Sequence, residues 1–136
     1  MLITHGADGR LRARPMAVLE IEASSRMWFI SSEDSAKIHE ISRDTDVHLV
    51  FQKDHDCYLS INGHATLVKD REKIAELWNE DFSPWFPQGK DDPEIILIAV
   101  TPQDAEYWMH REPRQSGSWS ADDAYIHGTK PEEQVV

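Results

Sequence analysis

At 136 residues with 40% hydrophobic composition, the chain is long enough for a single domain with a core of its own. A net charge of −11 argues against a general nucleic-acid binder, which needs a basic face to displace phosphate counterions. The longest apolar run, IILIAV at 95–100, is too short to cross a bilayer, the N-terminus lacks the layout of a signal peptide, and the lone Cys57 cannot form an internal disulfide, which points to a cytoplasmic protein away from membranes.

The predicted elements begin with strands. Asp8-Gly9 marks a hairpin turn, because glycine accepts the positive φ such turns require, and the alternating segment RLRARPMAVLEIE at 10–22 follows it. If that segment is a strand, Arg10, Arg12 and Arg14 share one face; arginine concentrated in an acidic protein points to a local anion, set against a plain solvated face. RMWFIS at 26–31 is the next strand, after which Asp34 or Ser32 caps a short helix to about Arg43, with Ile38 and Ile41 as its buried stripe. DVHLVFQ and CYLSINGHATLVK are strands, with Gly63 marking a bulge or a close backbone approach. Asp70 opens a second helix, DREKIAELWN, with Ile74, Leu77 and Trp78 on one side.

The loop DFSPWFPQGKDDP, under which Trp78, Trp85 and Phe86 are expected to pack, leads to the strand EIILIAVTP. DAEYWMHRE continues as a further strand or an extension of that one. Periodicity fades from about Arg114, so residues 1–113 read as the domain and 114–136 as an irregular tail. Six or so strands with two short helices, and no regular helical crossovers, predict an antiparallel barrel rather than a doubly wound parallel sheet.

The stretch FISSEDSAK at 29–37 carries the chemistry. An apolar strand end gives way to serines and then to a lysine where a helical pattern starts. Arginine, lysine and hydroxyl groups converging on a phosphate make charge-assisted hydrogen bonds, and a helix start adds free amides and a favourable dipole. Without more, a strand-to-helix connection with an N-cap serine explains the same residues. Other constellations are weaker. Seven histidines and the cluster DHDC at 54–57 show no zinc spacing, and no second cysteine exists, so no metal is expected. His48 and His64 fall on neighbouring strands, and two ligands do not make a site. Cys57 has no visible base to make it a nucleophile. Gly89-Lys90 is no nucleotide-binding loop, because Pro84 stands where its first glycine would be.

Taken in order, RARPMAVL, MWFISSEDSAK, DTDVHLVFQ, YLSINGHATLVKDREKIAELW and WFPQGKDDPEIILIAVTPQDAEYW resemble the general stress protein branch of the pyridoxamine 5'-phosphate oxidase-like flavin proteins, over residues 3–109. The resemblance implies a mainly β fold with short helices: a six-stranded antiparallel split β-barrel that forms a homodimer and binds FMN at the interface. It implies that Arg14 contacts the FMN phosphate and that Pro15, Met16 and Ala17 run beside the flavin ring. Ile30 and Ser31 would contact the ring, with Ser35 and Lys37 as phosphate ligands.

Trp108 falls where relatives place a tryptophan that reaches the other protomer's flavin, and Tyr58 where the oxidase branch has a glutamine near the ring. That replacement puts oxidase activity in doubt. So does HREPRQSGSW, which does not match the oxidase's C-terminal arginine and histidine motif. The expectation is an FMN-dependent oxidoreductase, an NAD(P)H-linked reductase rather than a pyridoxamine phosphate oxidase, with no catalytic residue named. A non-enzymatic FMN sensor or carrier, or a barrel binding deazaflavin or haem, are the alternatives. Relatives carry a helix and most of a first strand before the equivalent of Thr4-His5-Gly6, which leaves either a misplaced start codon or a true loss of that helix.

Overall fold

The computed structural model describes residues 1–110, 114–121 and 126–127. Its strands are β1 (Leu2–His5), β2 (Leu11–Arg14), β3 (Glu20–Ile21), β4 (Met27–Ser32), β5 (Asp46–Lys53), β6 (Cys57–Val68), β7 (Ile95–Met109), β8 (Gln115–Ser120) and β9 (Ile126–His127). The helices are α1 (Ala36–Arg43) and α2 (Arg71–Leu77). Every strand pairing is antiparallel, in the order β2-β1-β5-β6-β7-β4-β3, with β8 and β9 continuing from β7.

The two ends of that path, β2 and β3, are neighbours in sequence, joined only by residues 15–19. The sheet therefore curls enough for five residues to link its two ends, and this short segment crosses the split between them. Pro15 explains why the alternating run 10–22, expected as one strand, stops at Arg14: it has no N–H for a ladder. Pairing resumes where the Leu19 amide donates to the Trp28 carbonyl at 2.9 Å.

β6 and β7 form the long central pair. The second neighbour of β7 changes along its length, β4 over Ile95–Val100 and β8 over Asp104–Met109. Between the two halves the register slips from Asn62↔Asp104 to Gly63↔Pro102, which leaves Gln103 as the extra residue of a bulge. Gly63 is both things its sequence position suggested. A Cβ there would lie 2.8 Å from the Thr101 carbonyl oxygen and 2.9 Å from Val100 Cγ1.

Two apolar clusters lie on opposite faces of the β4–β7 half of the sheet. Phe29, Ile38, Ile41, Leu49, Ile98 and Val100 belong to the cluster under α1; Trp28, Ile74, Phe86, Ile95, Leu97 and Ala99 to the one under α2. IILIAV is thus buried on both faces, which is why it reads as a continuous run. Each such side chain contributes about 1.5–3 kcal/mol of burial. Trp78 and Phe86 pack edge to face at 6.4 Å, as expected, but Trp85 is 73% exposed. Nothing in the loop folds over it.

The C-terminal stretch is not uniformly irregular. β8 pairs antiparallel alongside β7, and the Tyr107 ring lies directly over Gly117, where any Cβ would collide with it. The remainder of that stretch, and residues 111–113 before it, lie outside the described residues. Among the described residues no helix is long and apolar enough to cross a membrane.

Candidate functional site

The end of β2, the end of β4 and the start of α1 bring Arg14, Ser31, Ser35 and Lys37 together. Ser35, not Asp34 or Ser32, is the N-cap of α1, and its side chain caps no amide of the helix. Its hydroxyl instead lies 3.0 Å from Ser31 Oγ, which accepts a hydrogen bond from Lys37 Nζ at 2.9 Å. Ser31 is buried and Lys37 half-buried. Among the described residues no carboxylate lies within 4 Å of Lys37 Nζ, so two of its three N–H donors face no protein partner.

Arg14 is oriented by residues the sequence did not suggest. Nη1 donates to Thr4 Oγ1 at 2.7 Å and to the Leu2 carbonyl at 3.4 Å, while Nη2 donates to Glu40 Oε1 at 3.0 Å. The fully buried Thr4 closes the ring by donating to the same Glu40 oxygen at 3.3 Å. Three acceptors against five guanidinium N–H groups leave donors free. Burial, and after it the charge of Arg14, pushes the Lys37 ammonium below its ordinary value of 10.5. Two cations held together with a single carboxylate between them make a site with surplus positive charge inside an acidic protein. Of the three alternating arginines only Arg14 takes part: Arg12 pairs with Asp8 at 2.9 Å on the surface, and Arg10 precedes β2.

The other expected contact residues are placed as follows. Pro15, Met16 and Ala17 lie in the segment crossing the split, with Pro15 and Ala17 exposed and Met16 packed against the α1 cluster. Ile30 is partly buried against the α2 cluster, one residue before Ser31. Tyr58 and Trp108 are direct cross-strand partners on β6 and β7. They line a separate cavity of about 340 Å³ with Val50, Ser60 and His110, to which no residue of the cationic cradle contributes.

His48 and His64 do lie on neighbouring strands, but each has its own partner: His48 Nδ1 is 2.6 Å from Asn62 Oδ1, and His64 Nδ1 is 2.9 Å from Asp46. Among the described residues no group of three or more His, Cys, Asp or Glu could hold a metal ion. Cys57 is half-buried, with its thiol 3.6 Å from Asp56 Oδ1.

Similar folds recur among solved structures. A protein related to general stress protein 26, of the pyridoxinephosphate oxidase family, from Clostridium acetobutylicum superposes with a TM-score of 0.77 at 21% identity, over 92% of this chain and 87% of that one. A pyridoxamine 5'-phosphate oxidase-related, FMN binding protein from Nostoc punctiforme gives 0.72 at 16% identity, over 96% and 85%. The general stress FMN/FAD binding protein from Xanthomonas citri gives 0.65 at 29% identity, over 81% and 80%. No curated protein matches the chain. The sequence model described as "Pyridoxamine 5'-phosphate oxidase like" matches residues 1–132, and the chain belongs to that family.

Proposed function

We propose that this chain binds FMN through its phosphate at Arg14, Ser35 and Lys37, with Ser31 between these groups and the ring, and works as a homodimer with the cofactor between two copies. The observation that carries the reading is the surplus cationic charge at Lys37, where two hydroxyls and an ammonium with no carboxylate beside it converge near Arg14. A dianionic phosphomonoester supplies the missing countercharge and accepts the unused donors. The fit to flavin is supported by the Xanthomonas citri relative, described as binding FMN or FAD. Pro15, Met16, Ala17 and Ile30 would flank the ring, while Tyr58 and Trp108, on a separate wall, would serve the cofactor of the second copy.

FMN carries hydride or electrons when bound. The task of the chain is to hold its phosphate and shield its ring. We assign the protein as a flavin oxidoreductase drawing on NADH or NADPH, with Tyr58 in place of the oxidase branch's glutamine set against pyridoxamine phosphate oxidation. The test is gel filtration after mixing with FMN. Oxidised-flavin absorption is expected to co-elute with a dimer in the wild type, and to be lost when Arg14→Ala and Lys37→Ala are combined. A folded double variant with undiminished affinity would overturn the cradle. Bleaching of the bound flavin by NADH or NADPH tests the reductase; a flavin that stays oxidised under excess of both leaves a carrier or sensor.

A further inference from the structure

An open groove of about 430 Å³ adjoins the cationic cradle, on a side that binding of FMN leaves unused. One wall is the exposed face of α1, carrying His39, Glu40 and Arg43; the other is the β1–β2 hairpin, carrying Asp8 and Arg12. Glu40 joins the two sites: its Oε1 accepts from Arg14 Nη2 at 3.0 Å, and the same side chain lines the groove. The volume falls within the range of about 300–1,000 Å³ usual for small-molecule sites.

Two separate segments set the direction in which a ligand would run. On β2, Arg12 and Arg14 are two residues apart on one face, about 7 Å from each other. Past Arg14 the chain enters Pro15, Met16 and Ala17, proposed to flank the ring, so the order along this segment is groove, cradle, ring. The segment from β4 into α1 repeats that order in reverse. Ile30 belongs to the ring end, Ser35 and Lys37 to the cradle, and His39, Glu40 and Arg43 to the groove, with Arg43 about 9 Å along the helix axis from Lys37. The phosphate site therefore lies between the ring end and the groove, and a ligand that continues beyond its phosphate enters the groove.

The groove also has the right charge. Both of its carboxylates are engaged: Asp8 accepts from Arg12 Nη2 at 2.9 Å and from the Arg10 amide at 3.1 Å, and Glu40 accepts from Arg14 and Thr4. Among the described residues no carboxylate lies within 4 Å of the Arg43 guanidinium. Its place in the last turn of α1 offsets the helix dipole, and that role leaves the planar guanidinium free to lie against an aromatic base. We infer that the groove takes the nucleotide half of a flavin dinucleotide, with the second phosphate toward Arg12 and the adenine against Arg43 and His39, so that the chain holds FAD in preference to FMN. The inference rests on the flavin reading and names which flavin that site is built for.

The test offers the full-length protein an equimolar mixture of FMN and FAD, removes the excess by gel filtration, and identifies the released flavin by chromatography. FAD is expected to predominate. Arg43→Ala combined with His39→Ala should weaken FAD binding by about tenfold and leave FMN affinity as it was, which also shows that the variant is folded. Lys37→Ala should weaken both flavins. Retention of FMN in equal or greater amount overturns this inference and leaves the flavin reading standing, whereas a wild-type protein that retains neither flavin overturns both. Unchanged FAD affinity in the groove variant, or equal loss of the two flavins, overturns the assignment of the groove.

Discussion

At the scale of single residues, Lys37 couples binding to stability. Its amine is pushed below 10.5 by burial first and by Arg14 second, so holding it charged costs the folded, flavin-free protein. Between the lowered value and 10.5 the unfolded chain binds the extra proton, so stability rises with pH across that window. Below the window the penalty is complete and constant. Lys37→Met removes it: the flavin-free variant is expected to melt higher at neutral pH and to lose the alkaline rise, as calorimetry over a pH series would record. Affinity for FMN should fall by about 10–100-fold, the loss of one charge-assisted hydrogen bond. A variant that melts lower at neutral pH would mean that Lys37 already contributes attraction in the absence of flavin. The clustering of Arg14, Ser31, Ser35 and Lys37 was foreseeable because serine, lysine and arginine are the types a proposed anion site draws on. Thr4 and Glu40 were not, since only the pairing of β1 with β2 and the packing of α1 beside them bring these two to the Arg14 guanidinium.

At the scale of elements, the bulge between Asn62 and Gly63 lies where β7 passes from β4 to β8 as its second neighbour. Gly63→Ala pushes a methyl into the Thr101 backbone, which cannot rotate away as a side chain tip would. We expect about 1–3 kcal/mol of destabilisation, read as a lower urea midpoint, and retention of the proposed FMN phosphate site, which lies on β2, β4 and α1. An unchanged midpoint would mean that the two strands slide apart at no cost. This bulge was readable from an isolated glycine in an alternating strand, as were α1 and α2 from their Ile38, Ile41 and Ile74 spacing. β8 was hidden because QSGSWS has neither β-branched residues nor clear alternation; its place depends on Gly117 lying beneath Tyr107, a fact of pairing rather than of local preference. The continuous strand expected over 10–22 failed for the opposite reason: the alternation was real, but Pro15 cannot donate to a ladder.

At the scale of the molecule, the separation of the two sets of residues proposed to face flavin makes the proposed dimer testable without a structure of it. Arg14, Ser31, Ser35 and Lys37 form one cluster, while Tyr58 and Trp108 line a different cavity. If both sets serve one cofactor only by meeting across two copies, defects in different sets must complement each other. Lys37→Ala and Trp108→Ala homodimers should each bind FMN weakly. A mixed dimer would pair the intact cradle of the Trp108→Ala chain with the intact tryptophan of the Lys37→Ala chain, restoring one full site and leaving the other doubly impaired. Random reassortment of an equimolar mixture makes about half the dimers mixed, so about a quarter of all sites should regain wild-type affinity. Flavin fluorescence titration of the mixture, after unfolding and refolding the two variants together, measures that fraction. Recovery near zero, with exchange verified by mass, would place Trp108 and Lys37 in the same chain's site or in no common site. The split between β2 and β3 would then have to hold the cofactor within a single barrel.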